Sequence, residues 1–177
     1  MNRLFFAILF LGQMGWLVDV RAAGQAQSRY ITLRYSSAEV LREFNDQLDL
    51  TSKLNQYIRK KNVVTVEDEC LAKLDVVIEK AQAVLDMFPE KMHITVVLLR
   101  SQQDVSAMFM QKYGKQAKHI AYYSLSEDTI YASVEDASLR VIAHELGHAI
   151  IDHYFQERPP YHIHELMAQF TEKHITD

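Results

Sequence analysis

Residues 140–151 read Arg-Val-Ile-Ala-His-Glu-Leu-Gly-His-Ala-Ile-Ile, an apolar helical segment that carries three polar side chains in its middle. His144 and His148 are four residues apart, about 1.1 turns of helix, so their imidazoles project from the same face. Two imidazoles in this arrangement can share one zinc ion. Burying three polar groups in an apolar helix without a partner is costly, which favours a metal site over a pair of ordinary surface histidines.

Glu145 follows the first histidine and is the natural general base of such a site. Zinc lowers the pKa of a water molecule that it binds, and a neighbouring carboxylate can take that proton as the water attacks a carbonyl carbon. The pattern therefore predicts a hydrolytic zinc site, with His144 and His148 as metal ligands and Glu145 as the base.

A catalytic zinc site needs a third protein ligand. Tyr154 stands where a third histidine would complete one common pattern, so that option fails. Asp152 lies one helical turn beyond His148, too far along the axis to share the metal. Glu165 lies in the next predicted helix, and an antiparallel return would bring it back. Because neighbours on a helix point about 100° apart, only one of His164 and Glu165 can face the metal; we favour Glu165 and expect a solvated His164.

Residues 119–174 resemble the gluzincin clan of zinc peptidases, the thermolysin-like group. The stretch at 159–170, Pro-Pro-Tyr-His-Ile-His-Glu-Leu-Met-Ala-Gln-Phe, is similar to the PPxWLxEGLAEY sequence common in these peptidases. Residues 121–132 also resemble the hairpin that precedes the clan's active-site helix. The resemblance implies a zincin-like domain acting on a peptide or protein substrate. It implies the zinc ligands His144, His148 and Glu165.

The chain departs from the clan's pattern at three positions: His162 replaces the usual Trp, Leu166 replaces Gly, and Gln169 replaces an acid. An acidic residue one turn after the ligand Glu often orients a zinc-bound histidine in this clan, and Gln169 carries no charge for that task. The group that stabilises the oxyanion is open between Tyr161 and His162.

The remaining hydropathy pattern predicts an α+β fold in which a small mixed sheet with a β-hairpin precedes the active-site helix and a ligand helix. Strands are predicted at 30–35, 93–99, 119–123 and 129–132, and helices at 37–60, 65–88, 101–114, 136–154 and 159–174. We expect a substrate to pair with the edge strand of the hairpin, near residues 119–124.

Residues 1–22 have the order of a secretory signal peptide: a positive start, an apolar run and small residues before a cleavage site after Ala22. The alternative is an uncleaved membrane anchor. We therefore expect a secreted or periplasmic domain over 23–177, with residues 23–28 as a flexible N-terminus and no membrane association after cleavage.

The formal net charge is −4, and no block of Lys or Arg indicates a nucleic-acid partner. Cys70 is the single cysteine, which excludes an internal disulfide and favours a buried thiol. Two other functions remain open beside the peptidase. One is a zinc-binding module without catalysis, and the other is an autoinhibited enzyme whose cleft is covered by residues 29–60.

Overall fold

Five strands form one mixed sheet in the order β1-β2-β3-β5-β4, in a computed structural model that describes residues 24–177. The predicted signal peptide, residues 1–22, lies outside the described residues. The strands are β1 (Gly24–Gln27), β2 (Ile31–Tyr35), β3 (Ile94–Leu99), β4 (Ala121–Ser124) and β5 (Thr129–Ser133). The helices are α1 (Ala38–Gln47), α2 (Ser52–Ile58), α3 (Val66–Leu85), α4 (Gln102–Tyr113), α5 (Leu139–Tyr154) and α6 (Tyr161–His174). The predicted α+β class is confirmed.

The predicted hairpin is also confirmed, and its position in the sheet matters for the site. β4 pairs with β5 in the antiparallel sense, while β5 and β2 both run parallel to the central strand β3. β4 therefore lies at one edge of the sheet, and the backbone groups of its outer side pair with no other strand of residues 24–177.

Alternate residues of β3 divide the interior into two unequal cores, because successive side chains point to opposite faces of a sheet. Ile94, Val96 and Leu98 belong to the large core, which the sheet shares with α1, α3 and α5. Val97 and Leu99 belong to a small core under α4 on the other face. The metal ligands predicted on α5 and α6 thus belong to the face opposite α4.

Local capping chemistry sets the helix boundaries. The Thr65 hydroxyl and the Asp68 carboxylate form a reciprocal capping box at the start of α3, as the sequence predicts. α4 begins with a second capping box and ends at Gly114, whose φ of 65° is the left-handed conformation that glycine adopts freely. α5 starts at Leu139 rather than at the predicted 136, because the Ser138 hydroxyl caps it.

The prediction of a flexible segment at 23–28 is wrong. Gly24–Gln27 forms β1, which pairs antiparallel with β2 and covers its outer edge. The polar sequence of this strand gives no local signal, and the backbone pairing with β2 supplies the stabilisation. At Gly24 a Cβ atom would lie 2.2 Å from Cζ of Tyr35, so this position requires glycine or a shift of that ring.

Cys70 is fully buried in α3, as predicted. Burial raises the pKa of its thiol to about 12, so it remains protonated and unreactive at neutral pH. None of the helices in residues 24–177 is both long and apolar enough to cross a membrane.

Candidate metal centre

α6 crosses α5 at very short range at the point where the two histidines face it. Gly147 lies between those histidines, and a Cβ atom there would lie 3.0 Å from the Thr171 hydroxyl oxygen and 3.2 Å from Cα of Ala168. The glycine costs about 1 kcal/mol of helix propensity relative to alanine. The close approach of the two backbones accounts for its presence.

This packing brings the three predicted ligands together. Nε2 of His144 and Nε2 of His148 are 3.1 Å apart. The two carboxylate oxygens of Glu165 each lie 3.5 Å from one of these nitrogens. One ligand atom from each residue falls within a group whose members are all within 4.8 Å of one another, so the three side chains can hold a metal ion.

Two further contacts orient these side chains from behind. Nδ1 of His144 lies 3.1 Å from Oε2 of Glu172 and donates a hydrogen bond to it. This tautomer leaves Nε2 of His144 free to bind a cation. The Gln169 amide donates a hydrogen bond of 3.1 Å to Oε1 of Glu165. Glu172, one turn beyond Gln169 on α6, thus contacts His144, and Gln169 contacts the carboxylate of Glu165.

The expectation of a solvated His164 is wrong. Its side chain is 1% exposed, and its ring stacks on that of His148 at a centroid distance of 4.9 Å. The two Nδ1 atoms are 2.8 Å apart, so one of them donates a hydrogen bond to the other. Because Nε2 of His148 faces the other candidate metal ligands, we place the proton on Nδ1 of His148, which then donates to Nδ1 of His164. Glu165 thus faces Nε2 of His144 and of His148, while the neighbouring His164 packs against the ring of His148.

The electrostatics of the centre favour an uncharged imidazole at His148. Burial, together with the neighbouring His144, His164 and Arg158, lowers the pKa of His148 to about 3. A neutral imidazole keeps the lone pair that a metal ion needs. Arg158 comes from the loop between α5 and α6, and it places a positive charge near the site that the sequence patterns did not indicate.

Glu145 is buried, at 8% exposed, and faces the inner wall of β4. Burial raises its pKa to about 8 in the metal-free protein, the backbone N–H of Tyr123 opposes this shift, and the charges of Glu165 and Glu172 add to it. A cation held by the three ligands would lower this pKa again, because it favours the charged form of a nearby carboxyl group. The pKa of Glu145 therefore depends on whether a cation is bound.

Asp152 lies outside the group of side chains that could hold a metal ion. Its carboxylate accepts a hydrogen bond of 3.3 Å from the Tyr123 hydroxyl and lies 3.8 Å from Nε of Arg158. It therefore ties the edge strand to the loop that follows α5 and positions the arginine.

A cleft of about 760 Å³ opens beside the centre. Its walls come from α4, β4, α5, α6 and the loop before α6, and they include Arg158 and Tyr161 but not His162. No residue from 29–60 lines the cleft, so the autoinhibitory cover predicted as an alternative is absent from the described part of the chain. The exposed Tyr161 and the Arg158 guanidinium are hydrogen-bond donors on the cleft wall.

Comparison of the chain with models of protein families, with curated proteins and with solved structures found no match. The function is therefore inferred from the donor atoms, the buried carboxyl group and the cleft of this chain.

Proposed function

We propose that this chain is a zinc metallopeptidase that hydrolyses peptide bonds. The observation that carries the proposal is a group of two imidazoles and one carboxylate beside a buried, separate carboxyl group, at the foot of a cleft bounded by a free edge strand. Two histidines and one glutamate are a ligand set typical of catalytic zinc, which keeps one coordination position for water or substrate.

The spacing of the donors supports zinc. Bonds of about 2.0–2.2 Å at tetrahedral angles separate ligand atoms by roughly 3.3–3.6 Å. The two Nε2 atoms are 3.1 Å apart, each of them lies 3.5 Å from a different oxygen of Glu165, and one donor atom from each residue falls within 4.8 Å of the others. His144, His148 and Glu165 would therefore hold the ion with small movements of their side chains.

In the proposed reaction, zinc supplies a Lewis acid that polarises a carbonyl group and acidifies water. Glu145 accepts a proton from the attacking water as its oxygen bonds to the carbonyl carbon. The same carboxyl group then donates that proton to the amide nitrogen as the carbon–nitrogen bond breaks, which returns Glu145 to its charged form. Its burial keeps bulk water from competing for the proton.

Negative charge develops on the carbonyl oxygen during this attack, and the chain offers two groups on the cleft wall to stabilise it. Arg158 lies near His148 and is held by Asp152, while the Tyr161 hydroxyl belongs to the first turn of α6. We assign the oxyanion role to these two side chains and no longer to His162, which is not on the wall.

Membership of the gluzincin clan, export by residues 1–22 and a secreted or periplasmic location remain part of the proposal. The arrangement of α5 and α6 is what the resemblance implies, with the third ligand returning from the following helix. N-terminal sequencing of protein recovered from its native compartment tests export, and a chain starting at Ala23 is the expected result.

The function is tested with the mature chain, loaded with zinc and incubated for long periods with a mixed peptide library. We expect new peptide termini, their loss on chelation and their return when zinc is restored. A zinc-loaded protein that cleaves nothing would contradict the peptidase and leave the zinc-binding module as the function of the site.

The contact between His144 and Glu172 yields a prediction for metal affinity. Removing the charge in Glu172→Gln should weaken zinc binding by about 10- to 100-fold, because the carboxylate fixes the ring and raises the basicity of its Nε2. Competition with a chromophoric chelator measures the affinity. Glu157→Gln makes the same chemical change on an exposed loop residue and should leave the affinity unaltered. Equal affinities in both variants would show that packing alone orients His144.

A further inference from the structure

The cleft continues past the edge of β4 onto the face of the sheet that α4 covers. Four rings form its wall there, and we call them the aromatic shelf: Phe109, Tyr113, His119 and Tyr122. The ring of Phe109 is the centre of the group, at centroid distances of 4.7 Å from Tyr113, 4.6 Å from His119 and 5.1 Å from Tyr122.

The aromatic shelf presents uncharged rings to the cleft. Burial lowers the pKa of His119, which keeps this imidazole neutral at neutral pH. Phe109 is partly buried and Tyr113 is 40% exposed, so both retain surface for a further contact. Phe109 meets Tyr122 edge to face, at 86°, an arrangement that a fifth ring can extend.

Hydrogen bonds connect the Tyr113 side of the aromatic shelf to the hairpin. The Tyr113 hydroxyl lies 2.7 Å from the Ser124 hydroxyl on β4, which in turn donates to Glu127 at 3.1 Å. Glu127 also accepts from Lys112 of α4 and from Tyr131 of β5. α4 is thus tied to the hairpin, and a ligand that binds here need not order the rings first.

The register of the hairpin relates the shelf to the metal centre. Ser133 N–H donates to the Ile120 carbonyl, so the alternation of antiparallel pairing turns the backbone groups of Tyr122 toward β5 and those of Ala121 and Tyr123 toward the open edge. A peptide added at this edge would bond to the backbone groups of Ala121 and to the carbonyl of Tyr123, since the Tyr123 N–H contacts Glu145. Its residue opposite Tyr122 would place its side chain on the same face as Tyr122, which is the face of the shelf.

We propose that the aromatic shelf is a specificity site that selects an aromatic side chain in an extended substrate. The neighbours of that side chain in the peptide point to the other face of the sheet, where α5 carries the metal donors. The inference rests on the proposed function for the identity of its ligand as a peptide. It predicts an aromatic residue at one fixed distance from the cleaved bond.

The test compares cleavage sites in a mixed peptide library for wild type and shelf variants. We expect aromatic residues at one position to be favoured by about 3- to 10-fold, and Phe109→Ala and His119→Ala to remove this preference. Met110→Ala, one residue along α4 and outside the cleft, should keep it. Tyr122→Phe should also keep it, because the Tyr122 hydroxyl is buried without a hydrogen-bond partner among residues 24–177 and only its ring belongs to the shelf. Thermal melts establish that each variant is folded.

A binding measurement separates the failure of this inference from the failure of the proposed function. Zinc-loaded Glu145→Gln is immobilised and the library is passed over it, and the retained peptides should be enriched in aromatic residues in a manner that Phe109→Ala abolishes. If aromatic peptides are enriched on Glu145→Gln while the wild type cleaves nothing, the peptidase function is overturned and the shelf is supported as a binding site. If the wild type cleaves peptides without an aromatic preference, or the preference survives both Phe109→Ala and His119→Ala, the shelf proposal is overturned and the peptidase function stands.

Discussion

Glu145→Gln is expected to lower the rate of peptide cleavage by several orders of magnitude while zinc binding and the fold are retained. Glutamine has the shape of glutamate but cannot accept the proton of the attacking water, and the base, the metal ion and the water act as a unit. Among residues 24–177 no ion pair accounts for the burial of Glu145, whose polar contact there is the backbone of Tyr123 on the edge strand. A buried carboxyl group without an ion pair destabilises a fold, so the substitution should leave stability equal or slightly higher.

The measurement pairs rates from single fluorogenic peptides, chosen from the library experiment, with zinc content and a thermal melt for each protein. Glu135→Gln is the matched control, because it makes the same change at an exposed residue outside the cleft, just before α5. A zinc-loaded Glu145→Gln as active as wild type would remove Glu145 from the chemistry. Loss of zinc along with activity would assign it to the geometry of the metal site.

The parts of the site predicted from sequence depend on spacing within one helix or on a short return between two. His144 and His148 share a face because of the helical period, and Glu165 reaches them because α6 follows α5 after a short turn. Local chemistry likewise predicts the start of α3, since Thr65 and Asp68 need no other part of the chain to form their capping box.

The features that the sequence did not predict depend on contacts between distant segments. β1 has a polar sequence and becomes a strand only through its pairing with β2. The aromatic shelf joins α4 to the hairpin, and no periodicity in the sequence indicates that contact. The helical period could have indicated Glu172, because it lies two helical turns beyond Glu165 and so on the same face of α6. The burial of His164 could not be predicted, because a histidine that packs against His148 has the same sequence spacing as a solvated one.

Loss of a metal ligand is the second large effect that we expect. His148→Ala and Glu165→Ala should each weaken zinc binding by more than the roughly 100-fold upper range for an orienting carboxylate, because each removes a donor atom from a set of three. Isothermal titration and metal analysis of purified variants measure this. Glu157→Ala, an exposed glutamate from the loop before α6, is the control that should bind zinc as wild type does.

Thermal stability provides an independent measurement of the same prediction. A ligand that binds only the folded state stabilises it by RT ln(1 + [L]/Kd), about 2.7 kcal/mol at a free concentration of 100 Kd. Excess zinc should therefore raise the melting temperature of wild type and of Glu157→Ala, and should raise that of Glu165→Ala much less. The metal-free protein should still fold, since the low pKa of His148 keeps this buried ring uncharged at neutral pH. Full zinc occupancy with an undiminished thermal shift in Glu165→Ala would remove Glu165 from the centre. His164, whose buried Nε2 has no hydrogen-bond partner among the described residues, would then be the third ligand to test.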